Sequence, residues 1–133
     1  MTTFRISEAA PLLGVSDDTL RRWIDQGQLP SAKDAVGRTV VDGADLAAHL
    51  TSAASGPDDP VSRASSARNR FVGIVTNVIS DTVMAQVEMQ CGPHRVVSLM
   101  SSEAVRELGL EVGSLATAIV KATTVIVETP ERK

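Results

Sequence analysis

The 133-residue sequence is poor in aromatic residues and in cysteine, and both shortages exclude kinds of site. It contains one Trp, two Phe and no Tyr, which disfavours a nucleic-acid site built by stacking bases on aromatic rings. The core must instead be built from Val, Ile, Leu, Ala and Met. The single cysteine, Cys91, allows neither an intrachain disulfide nor a zinc site made of cysteines.

Long apolar runs and a strong charge imbalance are also missing. No stretch approaches the roughly 18 apolar residues that a membrane-spanning helix needs. The N-terminus lacks the charged segment and apolar run of a secretory signal, so we expect a cytoplasmic protein with no membrane partner. The net charge of −3 argues against a protein that coats nucleic acid by charge alone, but it allows a sequence-specific reader with a local basic face.

The first fifty residues predict a helix-turn-helix followed by a small β wing and a third helix. Ser7 and Ser16 are the expected N-caps of the first two helices, and Gly14 and Gly27 are expected to end them. Apolar residues recur at helical spacing between these limits. We predict helices over 7–14, 17–26 and 45–50, and a strand over 37–41.

Within this part, five short stretches carry hydrophobic, turn and basic residues in a single register. They are Ile6–Ala10, Leu12–Ser16, Thr19–Trp23, Gly27–Pro30 and Gly37–Arg38. In this arrangement the segment from residue 4 to residue 50 resembles the MerR-like and excisionase-like winged helix-turn-helix domains. The resemblance implies that the second helix enters the major groove of DNA and that the wing lies along the DNA backbone.

Side chains of the second helix and the wing are the candidate DNA contacts. Arg21 and Arg22 point away from the predicted apolar face of the helix and suit phosphates or base edges, although adjacent arginines also occur on ordinary solvated faces. Five basic and seven acidic residues give residues 1–50 a net charge of −2, so a monomer should bind DNA weakly. The candidates are Ser16, Asp17, Thr19, Arg21, Arg22, Arg38 and Thr39.

The rest of the chain predicts a linker and a small β-barrel. Residues 51–65 are rich in Ser, Ala, Pro and Asp, which is typical of a flexible or extended linker. Five short strands with one small helix are typical of an OB-type Greek-key barrel, and its edge strands favour pairing with a second copy. We predict strands over 70–79, 82–90, 94–101, 115–120 and 125–127, and a helix over 103–108 that Ser102 caps.

The predicted architecture is therefore α+β and multidomain. A winged helix-turn-helix domain is expected over residues 1–50, a flexible linker over 51–65, and a five-stranded OB-like β-barrel over 66–130. The short edges of the barrel lead us to expect a homo-oligomer, a dimer or larger.

Three motifs of the second part occur in order: Ser66-Ala67-Arg68-Asn69 before the first strand, Glu107–Leu110, and Lys121–Val125. Together they resemble the Mop domain, a TOBE-type molybdate-binding module. The resemblance implies that molybdate, and often tungstate, binds between subunits as a ligand, not as a catalytic cofactor. By position it assigns the oxyanion site to Ser66, Ala67, Arg68, Ser101, Ser102, Lys121, Ala122 and Thr123.

The side chains of this set suit a tetrahedral dianion. Arg68 supplies a forked donor and Lys121 a point charge, while hydroxyls and backbone N–H groups add donors without charge. The alternative is that Arg68 is an ordinary surface residue and Lys121 an edge-strand lysine that discourages aggregation. No nucleophile–base pair and no phosphate-binding loop is visible in the sequence, so an enzyme is not expected.

Together the two halves predict a molybdate-responsive DNA-binding transcriptional regulator. Its expected partners are DNA, a molybdate or tungstate oxyanion, and further copies of the same chain. Two alternatives remain open. One is a molybdate storage or buffering protein whose N-terminal domain serves assembly or localisation. The other is a DNA-binding module with a different ligand.

Overall fold

Three helices and a three-stranded sheet form the first part of the chain in the computed structural model, which describes residues 2–61 and 64–130. The chain divides into two compact units, Met1–Ser55 and Gly56–Lys133. The sheet of the first unit has the order β1-β3-β2, and both strand pairs are antiparallel. Its elements are β1 (Thr3–Arg5), α1 (Ile6–Leu13), α2 (Asp17–Asp25), β2 (Ala32–Lys33), β3 (Thr39–Asp42) and α3 (Gly43–Ala53).

The turn between α1 and α2 forms as the sequence predicts. Gly14 ends α1 in the left-handed conformation, with φ 70°, and the Ser16 hydroxyl accepts a hydrogen bond from Thr19 N–H at 3.2 Å. The start of α1 was predicted wrongly, because Arg5 rather than Ser7 is its N-cap. The Arg5 N–H donates to Glu8 Oε1 at 2.9 Å, so a carboxylate in the first turn satisfies the N–H of the N-cap residue.

The core of the first unit lies where the three helices meet β3. Trp23 packs against this core, and its ring centroid lies 5.2 Å from that of His49. The third helix is longer than predicted because the Asp42 side chain, which accepts a hydrogen bond from Ala44 N–H, caps it further upstream. The buried core residues are Ile6, Ala9, Ala10, Leu20, Leu29, Val41 and Leu46.

The second unit is a curled four-stranded antiparallel sheet with one helix. The sheet has the order β6-β5-β4-β7. The first half of β4 pairs with β7 and the second half with β5, as in strands that bend between two neighbours. Its elements are β4 (Asn69–Ser80), β5 (Met84–Cys91), β6 (His94–Ser101), α4 (Ser102–Leu108), β7 (Leu115–Val120) and a 3-10 turn (Ala122–Thr124).

The small helical unit followed by a curled OB-like sheet confirms the predicted α+β class. The predicted fifth strand over residues 125–127, however, is wrong. Within the described part of the chain, this segment has no strand partner. Ile126 and Val127 are 85% and 83% exposed. An alternating apolar segment becomes a strand only where a neighbour accepts its backbone hydrogen bonds.

The side chains of β5 alternate between the core and the surface, since Ala85, Val87 and Met89 are all buried. On β4 the alternation changes at a bulge between Val75 and Asn77. Before the bulge the buried positions are odd-numbered, and after it Val78 packs against the core instead. One inserted residue therefore turns the strand over, as β-bulges do.

Two turns of the second unit are fixed by short polar side chains. Asp81 Oδ1 accepts hydrogen bonds from the N–H groups of Val83 and Met84, each at 2.7 Å, so β5 starts later than predicted. The N-cap of α4 is Ser101 rather than the predicted Ser102, because the Ser101 hydroxyl accepts from Ala104 N–H at 3.0 Å.

In the described ranges no helix is both long and apolar enough to cross a membrane.

Candidate functional sites

The pairing of β4 with β7 brings two of the three predicted oxyanion-binding segments to one end of the sheet. The register pairs Asn69 with Val120, and the Asn69 amide also donates to the Val120 carbonyl at 3.1 Å. Residues 66–68 lead into Asn69, and residues 121–123 follow Val120. Two segments that lie more than fifty positions apart in the sequence therefore stand side by side within one chain.

This end of the sheet carries two cationic side chains. Arg68 and Lys121 are both exposed, and neither joins an ion pair within the described part of the chain. Lys121 precedes the 3-10 turn Ala122–Thr124, whose Thr124 hydroxyl donates to the Lys121 carbonyl at 2.8 Å. Ser66 and Thr123 are exposed beside them and add two hydroxyl groups. Two cations and two hydroxyls form a donor set that suits a small oxyanion.

The third predicted segment lies elsewhere in the sheet. Ser102 is 1% exposed, and its hydroxyl donates to the Asp81 carbonyl at 2.7 Å and lies 3.1 Å from the Ser80 hydroxyl. Ser80 ends β4, whereas Asn69 begins it, so the 12-residue strand separates Ser101 and Ser102 from the other two segments. Within a single chain the sheet therefore assembles two sides of the predicted site and leaves the third apart.

In the first unit, a groove joins four of the seven predicted DNA contacts. Asp17, Arg21, Arg38 and Thr39 line it between the start of α2 and the β2–β3 hairpin. Arg21 and Arg38 are exposed. The other three predicted contacts, Ser16, Thr19 and Arg22, lie on α2 or at its cap, outside this groove.

Arg5 and Ser7 also line this groove, and the prediction did not include them. Arg5 reaches it because β1 pairs with β3, which pairs Arg5 with Val40. The signal in the sequence was the basic residue directly before the first helix. A three-residue strand is too short to show a hydrophobic period, so the pairing that places Arg5 was not visible.

The wing is held together by polar contacts among its own residues. Asp34 accepts hydrogen bonds from the Arg38 N–H and from Arg38 Nε, both at 2.8 Å. The backbone N–H of Arg38, followed by its guanidinium, lowers the pKa of Asp34. The Lys33 ammonium donates to the Thr39 hydroxyl at 2.7 Å. These contacts set the shape of the hairpin and leave the Arg38 side chain 57% exposed.

Two domain families match the chain. Residues 3–54 match a helix-turn-helix domain, and residues 65–127 match the TOBE domain. The chain is thus a helix-turn-helix domain joined to a Mop-like TOBE domain, and both resemblances drawn from the sequence are confirmed.

Curated relatives match the second part of the chain. Over 63 residues the chain is 46% identical to the "Probable molybdenum-pterin-binding protein" of Haemophilus influenzae, covering 47% of this chain and 91% of that protein. It is 36% identical to "Molybdenum-pterin-binding protein 2" of Clostridium pasteurianum, covering 47% and 93% respectively. Through residues 65–127 the chain belongs to the family of these molybdenum-pterin-binding proteins.

Two solved structures are similar to the same part. A molybdate-binding protein from Sporomusa ovata is 31% identical, with a TM-score of 0.49, and the match covers 50% of this chain and all of that one. The cytoplasmic molybdate-binding protein ModG, solved with molybdate bound, is 36% identical with a TM-score of 0.49, over 51% of this chain and 49% of that chain.

Proposed function

We propose that this chain is a molybdate-responsive transcriptional regulator that acts in the cytoplasm as a binding protein and not as an enzyme. The observation that carries the proposal is the β4–β7 pairing, which places Arg68 and Lys121 at one end of the sheet. The TOBE and helix-turn-helix matches support the two binding activities. The names of the curated relatives suggest a molybdenum-containing ligand, and the Mop resemblance implies molybdate, with tungstate as a second possible oxyanion.

A tetrahedral dianion needs positive charge to offset the loss of its water, and donors for its many lone pairs. The guanidinium of Arg68 and the ammonium of Lys121 supply the charge. The hydroxyls of Ser66 and Thr123 and the backbone around Ala67 and Ala122 supply uncharged donors, because small side chains let the backbone approach the ligand closely. Sulfate has the same charge and shape, so the size of the cavity must provide selectivity for the larger oxyanion.

Exposed apolar surface on the second unit supports a homo-oligomer. Strands β6 and β7 are the two edges of the sheet. Leu99 on β6 is 71% exposed, and Leu115 on β7 is 59% exposed. Apolar residues on open strand edges favour pairing with another chain. We propose that a second copy completes the site by supplying the exposed Ser101, which lies apart from the other two segments within one chain. Ser102 is buried, and its hydroxyl already donates to the Asp81 carbonyl.

Calorimetric titration tests the anion-binding half of the proposal. We expect molybdate to bind tightly and sulfate at least tenfold more weakly, because the proposed selectivity depends on the size of the oxyanion. The same titration at a known oligomer mass gives the number of anions per assembly. Absence of heat with molybdate, or equal affinity for sulfate, would contradict the assignment and favour the DNA-binding module with a different ligand.

Replacing Arg21 with Ala tests the DNA-binding half. Arg21 is exposed and lines the groove between α2 and the wing. We expect about a tenfold loss of operator affinity, with a salt dependence shallower by about one unit if the contact is to phosphate. Arg106→Ala removes an exposed arginine from α4 in the other unit and should leave DNA affinity unchanged. Equal DNA affinity for the two variants would remove Arg21 from the interface.

A gel shift with and without molybdate tests the regulatory link. The change in operator affinity can be no larger than the difference in molybdate affinity between the two arrangements of the DNA-binding domains.

One observation favours molybdate storage as the second candidate function. The matching segment covers 91% of the Haemophilus influenzae relative, so the TOBE part exists almost alone elsewhere. Storage predicts anion binding without any affinity for DNA.

A further inference from the structure

The end of the linker is tied to the sheet of the second unit by one acidic side chain. Asp59 Oδ2 accepts a hydrogen bond from Arg70 Nε at 2.6 Å, and its Oδ1 accepts one from the Thr117 hydroxyl at 2.8 Å. Arg70 Nη2 in turn donates to the Val61 carbonyl at 3.0 Å. Three separate pieces of chain, the linker, β4 and β7, therefore meet at Asp59.

This contact differs from the other ion pairs of the described residues. Arg5–Glu8 and Arg38–Asp34 join positions three and four apart, and Arg95–Glu88 joins the two strands of one hairpin. Asp59–Arg70 alone among them joins the linker to the sheet. The side chains of Arg70 and Asp59 are only 24% and 28% exposed. Hydrogen bonding, above all from Arg70, lowers the pKa of Asp59 to about 2, so the carboxylate is ionised throughout the neutral range.

Asp59 lies close to the proposed anion site along the chain and across the sheet. Arg70 is two residues after Arg68. In the register, Arg70 pairs with Ile119 and Val72 pairs with Thr117, so Arg70 and Thr117 are diagonal neighbours on one face of the β4–β7 pair. The carboxylate of Asp59 bridges that diagonal, one to three residue pairs from the end of the sheet where Lys121 follows Val120.

Closing the chain between Asp59 and Arg70 restricts the segment that carries Ser66 and Arg68. A segment whose ends are fixed has fewer conformations to lose when it binds a ligand, so preorganisation raises affinity without adding a contact to the ligand. The linkage is reciprocal: a ligand held by Arg68 must stabilise the bridge to the same extent. Anion binding would then strengthen the attachment of the linker to the sheet at Asp59.

We propose that Asp59 is a positioning residue: its bridge to Arg70 and Thr117 holds the linker so that the Ser66–Arg68 segment is preorganised for the oxyanion, and the bound oxyanion in turn fixes the linker at Asp59. The inference rests on the proposed anion-binding function. It makes Asp59 the residue at which the linker that leads to the DNA-binding unit is attached to the sheet. Only the residues between the end of α3 at Ala53 and Asp59 remain as free tether.

Asp59→Asn tests this role because it removes the charge and keeps the size of the side chain. We expect molybdate affinity to fall by about threefold to fivefold, as suits a partly exposed ion pair that acts indirectly. Asp58→Asn is the matched control, since within the described residues Asp58 is exposed and makes no hydrogen bond. Thr117→Val removes one donor to Asp59 and should weaken molybdate binding in the same direction by less.

Hydrogen exchange of the full-length protein separates positioning from a merely structural role. In the unmodified protein and in Asp58→Asn, molybdate should increase the protection of amides in residues 56–61. In Asp59→Asn this increase should be lost. If Asp59→Asn matches Asp58→Asn in affinity and in protection, the proposal is overturned while anion binding stands. If the unmodified protein gives no heat with molybdate, the proposed function fails and the positioning role fails with it.

Discussion

Replacing Arg68 with Ala will weaken molybdate binding by about tenfold to 100-fold, and replacing Lys121 with Ala will have an effect of similar size. Hydrogen bonds from charged donors to an anion are the strong ones, and loss of a donor leaves an anion oxygen without its partner. The structure supports a large effect because the β4–β7 pairing places both cations at one end of the sheet. Calorimetric titration of each variant measures it.

A conservative replacement of Arg68 separates the effect of its charge from that of its geometry. Arg68→Lys keeps the charge and loses the forked geometry, so its affinity should lie between that of the unmodified protein and that of Arg68→Ala. Arg106→Ala, which removes a charge from the exposed side of α4, should bind molybdate normally. If both Arg68→Ala and Lys121→Ala bind molybdate as tightly as the unmodified protein, the molybdate site lies elsewhere.

Replacing Gly73 with Ala will destabilise the second unit by about 3 kcal/mol or more, which approaches the whole stability of a small domain. A Cβ at this position of β4 would lie 2.3 Å from the Gln90 carbonyl oxygen and 2.7 Å from Cys91 Sγ. The Gln90 carbonyl belongs to the backbone of β5, so it cannot move without disturbing the strand pairing. Guanidinium unfolding followed by circular dichroism should show an early loss of β signal.

Gly56→Ala is the matched control for this change. Gly56 also belongs to the second unit, but a Cβ there meets nothing within 4 Å, and its backbone is not left-handed. We expect its unfolding midpoint to match that of the unmodified protein. A Gly73→Ala variant that unfolds at the same midpoint would mean that β4 and β5 are further apart than the structure has them.

Local patterns predicted the elements that depend on their own residues. The Ser16 cap, the left-handed Gly14 and the alternation of Ala85, Val87 and Met89 are all set within a few positions of sequence. The pairing of β4 with β7 was not predicted. The family resemblance only implied that Arg68 and Lys121 belong to one site, and the sheet register brings their two segments to the same end.

Features that depend on distant partners were missed for a physical reason. β1 exists because Phe4 pairs with Val41, and a three-residue strand has no period of its own. Residues 125–127 alternate like a strand but follow the turn at Ala122–Thr124, and within the described residues no neighbour pairs with them. The sequence presents Asp59 as an ordinary polar residue of the linker. Nothing near it in the sequence shows that Arg70 and Thr117 will donate hydrogen bonds to it.

The tilted contact between the rings of Trp23 and His49 has an optical consequence. Trp23 is the only tryptophan, and the sequence has no tyrosine, so excitation near the red edge of the protein band addresses a single side chain. That side chain belongs to α2 and packs against the core of the first unit. The proposed oxyanion site lies entirely in the second unit. A change in emission on adding molybdate would therefore report directly, without labels, that the two halves of the molecule communicate.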